Sequence, residues 1–484
     1  MDPKHLFIGG EMVAPSGRGV LEVVSPHTEA VVATAPIAGP DDVDQAVAAA
    51  RRAFDDGPWP RLDPAERIAA IRRLHAAYGE RRPEIAETIT TEMGAPTTFA
   101  NRAHVGLPWA MMGALTDIAE RFPWTEHRPG AFGDELQIRK ESVGVVAIVV
   151  PWNMPQFLIV TKLVPALLAG CTVIVKPAAE TPLDALLLAE LIAAADLPPG
   201  TVNVLTGGRD IGEQLVDHAD VDKVSFTGST TAGREVAIAC ADGLKPVTLE
   251  LGGKSAAIVL DDADPTTVAH GVRVASLSNS GQLCNALTRV LVPAGRSAEV
   301  IDALASTMEA LQVGDPTDPA TDLGPLVTRN QQQRVWRSID EGLYHGARLV
   351  TGGTGLPDGV ERGWYVKPTL FSDVDNGACI AQEEIFGPVL AVIPYDTEDD
   401  AIRLANDSIY GLAGAVWTAD PDRGLTVAER VRAGTFGINQ GYSMDPAAPF
   451  GGVKASGYGR ELGPEGLDAY LHTKAISIAR ERRT

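Results

Sequence analysis

Cysteine is scarce in this 484-residue chain, and its four cysteines, Cys171, Cys240, Cys284 and Cys379, stand too far apart for metal-ligand spacing. The amino terminus, Met1-Asp2-Pro3-Lys4-His5, turns polar and then glycine-rich before a signal-peptide core develops, so neither a disulfide framework nor secretion is expected and a cytoplasmic location is. The nine histidines are scattered without a His-Glu-x-x-His arrangement, and no metal centre is expected. Positive charge is also short: 41 Lys+Arg against 63 Asp+Glu give a formal net charge of -22, which excludes nucleic acid as an expected partner because no surplus cations displace counterions from phosphates. Long apolar runs are missing too. The most membrane-like stretch, Phe157 to Val175, carries Lys162, Pro165 and Gly170 and reads as a buried helix followed by a strand. No internal repeat, low-complexity tract or long linker is visible.

What remains is an ordinary globular composition, 45% hydrophobic and 21% charged, in a chain long enough to require at least two packed units. Residues 41 to 121 carry helical periodicity, with Asp41 and Asp63 as N-cap candidates and Pro64 suited to a first turn. From Val143 the pattern changes to short β-branched runs alternating with Ala- and Leu-rich segments: strands at Val145-Val150, Thr172-Val175, Val202-Leu205, Lys223-Phe226 and Val247-Glu250, with helices between. That alternation predicts a parallel sheet covered on both faces, the usual nucleotide-binding architecture. A second α/β series follows Gly252-Gly253, with strands near Ala256-Leu260, Arg289-Val292, Leu390-Ile393, Ala413-Trp417 and Thr435-Ile438. Asp134-Ser142 and the tail around Tyr470-Ile478 fit neither unit and read as lone strands in need of a partner, often another subunit.

Several chemically useful side chains fall at the ends of these strands, where open α/β sheets bind ligands. In Val247-Thr248-Leu249-Glu250-Leu251 the apolar residues share one face and leave Glu250 on the other, just before a Gly-Gly break. Cys284 lies in the polar, glycine-containing run Asn279-Ser280-Gly281-Gln282-Leu283-Cys284-Asn285. A thiol and a carboxylate are the parts needed to trap an acyl group on sulfur and release it with water. Read alone, each has a plainer meaning, a solvated glutamate and a buried inert thiol. Asn153, after Pro151-Trp152, is placed to donate to an oxyanion or simply to cap the helix starting near Pro155. Lys176 could face ribose or phosphate, or snorkel to the surface. Phe226-Thr227-Gly228-Ser229, a strand then a glycine turn then a helix, is a weak phosphate signal.

Taken together, Pro151-Trp152-Asn153, Lys176-Pro177, Phe226-Thr227-Gly228-Ser229, Leu249-Glu250-Leu251-Gly252-Gly253-Lys254, Gly281-Gln282-Leu283-Cys284 and Glu383-Glu384-Ile385-Phe386-Gly387-Pro388 resemble the motifs of the aldehyde dehydrogenase superfamily, in family order and spacing. Pro449-Phe450-Gly451-Gly452 and Gly459-Arg460-Glu461-Leu462-Gly463 extend the resemblance, which covers about Phe7 to Lys474. It implies an α/β aldehyde dehydrogenase-like fold: a Rossmann-like cofactor domain from 1-122 and 143-252, a second α/β catalytic domain from 253-463, and a small β oligomerisation element from 123-142 and 464-484. It also implies NAD(P)-dependent oxidation of an aldehyde to the acid in a homodimer or homotetramer. By the same resemblance Cys284 is the nucleophile and Asn153 with the Cys284 N–H holds the oxyanion, while Glu250 activates water. Lys162 and Glu461 match proton-relay positions. Trp152, Lys176, Gly228 and Ser229 lie along the adenosine and diphosphate, and Glu384 and Phe386 beside the nicotinamide.

The family often has Lys-Pro-x-Glu where this chain has Lys176-Pro177-Ala178-Ala179, and the missing carboxylate weakens the exclusion of NADP. NAD is the first choice, with NADP possible, because no arginine stands nearby in sequence to receive a 2′-phosphate. Positions matching the family's substrate tunnel, Met154, Phe157, Thr161, Leu283, Asn285, Tyr442, Met444 and Phe450, are mostly apolar and favour aliphatic, aromatic or terpenoid aldehydes. A CoA-acylating relative would lack Glu250, a silent scaffold would lose Cys284 or Asn153, and a cofactor-free cysteine hydrolase would explain neither Lys176 nor the turn at Gly228.

Overall fold

The computed structural model describes residues 4–132 and 135–479. Two larger sheets organise the chain. In the first, β7 (Val145–Val149), β8 (Thr172–Lys176), β9 (Val202–Val204), β10 (Lys223–Thr227) and β11 (Val247–Glu250) are parallel, in the spatial order β11-β10-β7-β8-β9. These are the five strands predicted from the β-branched runs, and the helices Pro155–Leu168, Leu183–Ala194, Arg209–Asp217 and Thr230–Asp242 alternate with them as expected.

The sheet is not wholly parallel, however. At one edge β1 (Leu6–Ile8) adds antiparallel to β9 and is followed by β2 (Glu11–Val13); at the other, the two-residue β19 (Gly457–Tyr458) adds antiparallel to β11. These pieces are too short to carry a period-2 signal, which is why the alternation of the sequence did not reveal them. The same holds for the separate hairpin of β3 (Val20–Val24) and β4 (Val31–Pro36).

The second sheet has seven strands in the order β14-β15-β16-β13-β12-β17-β18. Five of them match the sequence expectation: β12 (Ala256–Val259), β13 (Arg289–Pro293), β16 (Val389–Tyr395), β17 (Ala413–Trp417) and β18 (Thr435–Ile438). β14 (Arg348–Thr351) and β15 (Thr369–Ser372) were missed.

The two segments expected to be lone strands pair within the chain. β20 (Leu471–Ile478) runs antiparallel to β6 (Glu135–Ser142), which also pairs with β5 (Thr125–Pro129) in a three-stranded sheet. Asp134 of the predicted strand lies outside the described residues, as do the chain-end residues 1–3 and 480–484 of the expected domain ranges.

Two local expectations separate. The helix Pro64–Met93 is capped by Asp63, with Glu66 reaching back to the Asp63 N–H at 2.9 Å. The helix Pro40–Asp55 is capped at Gly39 rather than Asp41, and Asp42 supplies the returning carboxylate at 2.7 Å. Pro40 already occupies the first helical position, which puts Asp42 and not Asp41 on the side facing the cap. Among the described residues, no helix is long and apolar enough to cross a membrane.

Candidate active site

Cys284 and Glu250 arrive from different units and meet. Glu250 closes β11, and at Gly252-Gly253 the chain passes so close to its neighbours that a side chain at 252 would collide with the Glu384 carboxylate and one at 253 with the Cys284 carbonyl. Gly252 thus leaves room for the Glu384 carboxylate, and Gly253 lets its backbone approach that of Cys284. The Cys284 Sγ lies 4.0 Å from Glu250 Oε2. Glu250 is only 1% exposed and its Oε1 has no hydrogen-bond partner, so the solvated-glutamate reading fails. Burial pushes the Glu250 carboxyl well above the usual carboxylate range, reinforced by the Glu461 charge and opposed by Lys162 and Arg460. Burial also raises the Cys284 thiol, followed by the charges of Glu250 and Glu384. The resting pair is thus protonated at sulfur, and a thiolate forms only as a proton leaves toward a neighbouring base.

Asn153 sits four residues past the end of β7, beside this pair. Its Nδ2 donates to Gln282 O at 3.1 Å, leaving a second amide proton free, and the helix at Pro155 is capped at Met154, so Asn153 is not the helix cap. A cavity of about 140 Å³ gathers Trp152, Asn153, Gly228, Ser229, Cys284, Glu384 and Phe386 around one space. Phe386 adopts left-handed backbone (φ 64°) and sets its ring edge-on to Trp152 with centroids 5.4 Å apart. Glu384 accepts from the Gly253 N–H at 3.1 Å, and burial pushes it up to about 7.

Lys176 faces a second cavity, of about 450 Å³, on the other side of the same strand ends: Val149 and Phe226 line this one, Pro151 and Thr227 the first. Its ammonium is buried against Pro177 O at 2.9 Å, not snorkelling, and burial lowers it to about 8. Ser229 caps the helix Thr230–Asp242 by accepting from the Ala232 N–H at 3.2 Å, so the turn at Gly228 does lead into a helix N-terminus.

Lys162 and Glu461 are not in either cavity. They form a buried ion pair, Lys162 0% exposed, and Glu461 also accepts from Thr161 Oγ1 at 3.3 Å. Met154, Phe157 and Phe450 pack in the same hydrophobic cluster as Cys284, Tyr442 and Met444, with the Tyr442 and Phe450 rings 6.0 Å apart.

Polar residues on flanking helices that line the two cavities escaped the sequence reading. Gln331 and Arg334 project from the helix Arg329–Tyr344, where Arg334 also donates to Glu384 O at 2.8 Å. Arg209 and Glu235 project from two different helices into the Lys176 cavity, joined at 2.8 Å, and Arg209 also pairs with Glu213. All sit on polar faces of amphipathic helices, where charge reads as ordinary solvation. Arg209, remote from Lys176 in sequence, is the arginine that proximity along the chain could not reveal.

A parallel α/β sheet with paired cavities at its strand ends, one of them holding a thiol against a buried carboxylate, defines the class of nucleotide-cofactor oxidoreductases that work through a cysteine. Within that class the chain belongs to the aldehyde dehydrogenase family, whose model matches residues 12–476, and it is an oxidoreductase acting on aldehydes. It is 46% identical to a geranial dehydrogenase of Castellaniella defragrans, over 99% of each chain. Its fold matches a Mycobacterium tuberculosis aldehyde dehydrogenase complexed with NAD+, with a TM-score of 0.97 at 47% identity over 100% of this chain and 99% of that one. A Pseudomonas syringae aldehyde dehydrogenase bound to NAD+ and octanal matches with a TM-score of 0.95 at 43% identity over 98% and 96%.

Proposed function

We propose that the protein oxidises apolar aldehydes, aliphatic or terpenoid, to carboxylic acids with NAD through a thioester on Cys284. The observation that carries this reading is the 4.0 Å contact between Cys284 Sγ and Glu250 Oε2 at one end of the paired cavities. The sulfur bonds to the aldehyde carbon while its proton passes toward Glu250. The oxyanion is received by the free Asn153 amide proton and the Cys284 N–H. When bound, NAD supplies the hydride acceptor that turns the adduct into a thioester. Once Glu250 has given up the first proton to solvent, it takes a proton from water as that water attacks the thioester carbon; the carbon–sulfur bond then breaks, and Glu250 passes this proton to the departing sulfur to restore the thiol.

The residues present fit NAD. Val149, Val216, Phe226 and Val236 offer apolar walls to an adenine, and Lys176 a donor to its ribose. The N-terminus capped by Ser229 suits a diphosphate, and Glu384 with Phe386 flanks the space before Cys284. Lys162 and Glu461 then serve the site from behind, biasing the Glu250 proton through their charges.

The cavity around Lys176 also bears on cofactor choice. Arg209 is already bound to Glu213 and Glu235, and with Asp217 the carboxylates lining the cavity outnumber its cations, which opposes a 2′-phosphate. NAD is expected to exceed NADP in kcat/KM. Glu235→Gln is expected to narrow that ratio by roughly 2- to 5-fold, the scale of one exposed ion pair. Initial rates with both cofactors measure this, and an NADP preference in the unaltered enzyme would overturn it.

The substrate class is supported by the apolar cluster that Met154, Phe157, Tyr442, Met444 and Phe450 share with Cys284, and by relatives named for geranial or bound to octanal. A panel of octanal, geranial, benzaldehyde and succinic semialdehyde tests it. Octanal and geranial are expected to exceed the semialdehyde by about 10-fold or more in kcat/KM, since each buried methylene contributes ~0.8 kcal/mol and none of Met154, Phe157, Tyr442, Met444 and Phe450 offers a cation to the anion. The reverse order would exclude an apolar tunnel.

The two larger sheets support assigning the described parts of 1-122 and 143-252 to the cofactor and 253-463 to the thiol, although β19 reaches back from the second range to the first sheet. A cytoplasmic setting accords with four free cysteines, and a count of four reactive thiols in the denatured, unreduced protein checks it. Exposed Ile238, Leu244 and Tyr458, and the outer edge of β5, to which no further strand adds among the described residues, support a homodimer or homotetramer, to be read from light scattering.

A further inference from the structure

Beneath the thiol lies a network that the chemistry above does not use. Asn279, Ser280 and Gly281 adopt left-handed backbone in succession, with φ of 54°, 56° and 75°. Left-handed backbone is uncommon for residues with a Cβ, and two in a row persist only where other bonds dictate the turn. Here they do. Ser280 Oγ donates to Gly324 O at 2.8 Å. Gln282 Nε2 returns to Asn279 O at 3.1 Å, while Gln282 Oε1 accepts from the Val327 N–H at 3.0 Å.

The turn is also clasped to the oxyanion donor. Asn279 Nδ2 donates to Asn153 O at 2.8 Å, and Asn153 Nδ2 donates to Gln282 O at 3.1 Å, so each side of the cleft holds the other by an asparagine amide. Behind Asn279 stands His104, 0% exposed, on the π-helical turn Ala100–Gly106. Its Nε2 lies 3.4 Å from Asn279 Oδ1, and its ring is edge-on to Phe99 with centroids 5.3 Å apart. Because the Asn279 amide nitrogen is committed to a carbonyl, its oxygen faces His104, and Nε2 is the nitrogen that carries the proton. Burial lowers His104 to about 4, so the ring remains neutral at neutral pH.

We propose that His104 and Asn279 are positioning residues for the oxyanion donor: His104 orients the Asn279 amide, which fixes the Asn153 backbone and through it the direction of the Asn153 amide. Neither reaches the reacting atoms. The inference rests on Asn153 being the oxyanion donor, and it extends that role to two residues that contribute no atom to the site. An amide displaced by a fraction of an ångström no longer meets the oxygen where negative charge develops, so the loss falls on the chemical step and not on aldehyde binding.

The test compares Asn279→Gly, which keeps left-handed backbone without strain and removes both amide bonds, with His104→Phe and His104→Gln. Three quantities are measured: the single-turnover rate of NADH formation, the KM for octanal, and the rate of Cys284 alkylation by iodoacetamide, a reaction that develops no oxyanion. Asn279→Gly is expected to slow the single turnover by roughly 10- to 100-fold, part of the 100- to 1,000-fold that a whole oxyanion donor contributes. KM should stay within about 2-fold and alkylation should be unchanged, because the thiol itself is undisturbed. His104→Phe is expected to slow it by about 3- to 10-fold, with His104→Gln, which restores a donor, returning to near the unaltered rate.

An unchanged single turnover in Asn279→Gly, or alkylation falling in parallel with it, overturns the proposal. Should Asn279→Gly not fold, the His104 pair decides by the same criteria: equal rates in Phe and Gln variants overturn it. Asn153→Ala separates the two levels. If it keeps the unaltered rate, the donor assignment itself is wrong; if it loses activity while Asn279→Gly keeps it, only the clasp is.

Discussion

Cys284→Ala is expected to abolish aldehyde oxidation, by at least about 10⁴-fold, because no other group in the site offers a nucleophile once the sulfur is gone. The other cysteines cannot substitute. Cys171 is buried against Ser142 and Tyr470, Cys240 is buried elsewhere in the first unit, and Cys379 begins a short helix outside the cavity. The structural cost of the change is small, since the loop is held by Asn279, Ser280 and Gln282 and not by the thiol. NAD binding should therefore survive, which calorimetry on the variant can check beside NADH formation at saturating octanal. Aldehyde oxidation at the unaltered rate would remove Cys284 from the mechanism.

Glu250→Gln is expected to separate the two halves of the reaction. Glutamine matches the shape of glutamate but accepts no proton, so acylation should slow and deacylation should fall by about 10²- to 10⁴-fold, the usual contribution of a general base. One equivalent of NADH should form, followed by near-arrest, and intact-protein mass should show an acyl adduct on Cys284 that requires the cofactor. Steady-state turnover equal to the unaltered enzyme would exclude Glu250 as the base, and release of the acyl group only on adding CoA would favour the acylating alternative.

The pH dependence has a definite sign. The folded Glu250 carboxyl is raised by burial and by Glu461, and its active form is the deprotonated one, so turnover should climb as pH rises from neutral. The Cys284 thiol is raised as well and acts in the same direction. In Glu250→Gln the deacylation limb should flatten while the thiol limb persists. A turnover that falls from neutral pH upward contradicts both assignments.

Much of the site was legible because it sits where period and punctuation coincide. Val247–Glu250 is a strand ending at Gly-Gly, Val145–Val149 runs into Pro-Trp-Asn, and Thr172–Lys176 ends at Lys-Pro; each boundary falls within a residue or two of its sequence reading. What stayed hidden falls into two kinds. Strands such as β1, β2 and β19 are recruited by the sheet edges they complete, and two or three residues carry no period of their own. Arg209, Arg334 and His104 depend on which helix faces which, a property of packing and not of local pattern. Asn279 was in plain view within the thiol motif, yet its function comes from a partner 175 residues earlier.

The buried pair of Lys162 and Glu461 joins residues 299 apart, and β20 closes on β6 only after that. Synthesis therefore delivers Asn153, Glu250 and Cys284 to a growing polypeptide well before the carboxylate that neutralises Lys162. A ribosome stalled short of position 461 would hold a chain with nucleophile and base but an uncompensated ammonium in its core, a state that resists compaction. Catalytic competence thus waits on residue 461: Cys284 and Glu250 are translated first, and Lys162 gains its counter-charge only when Glu461 has been made.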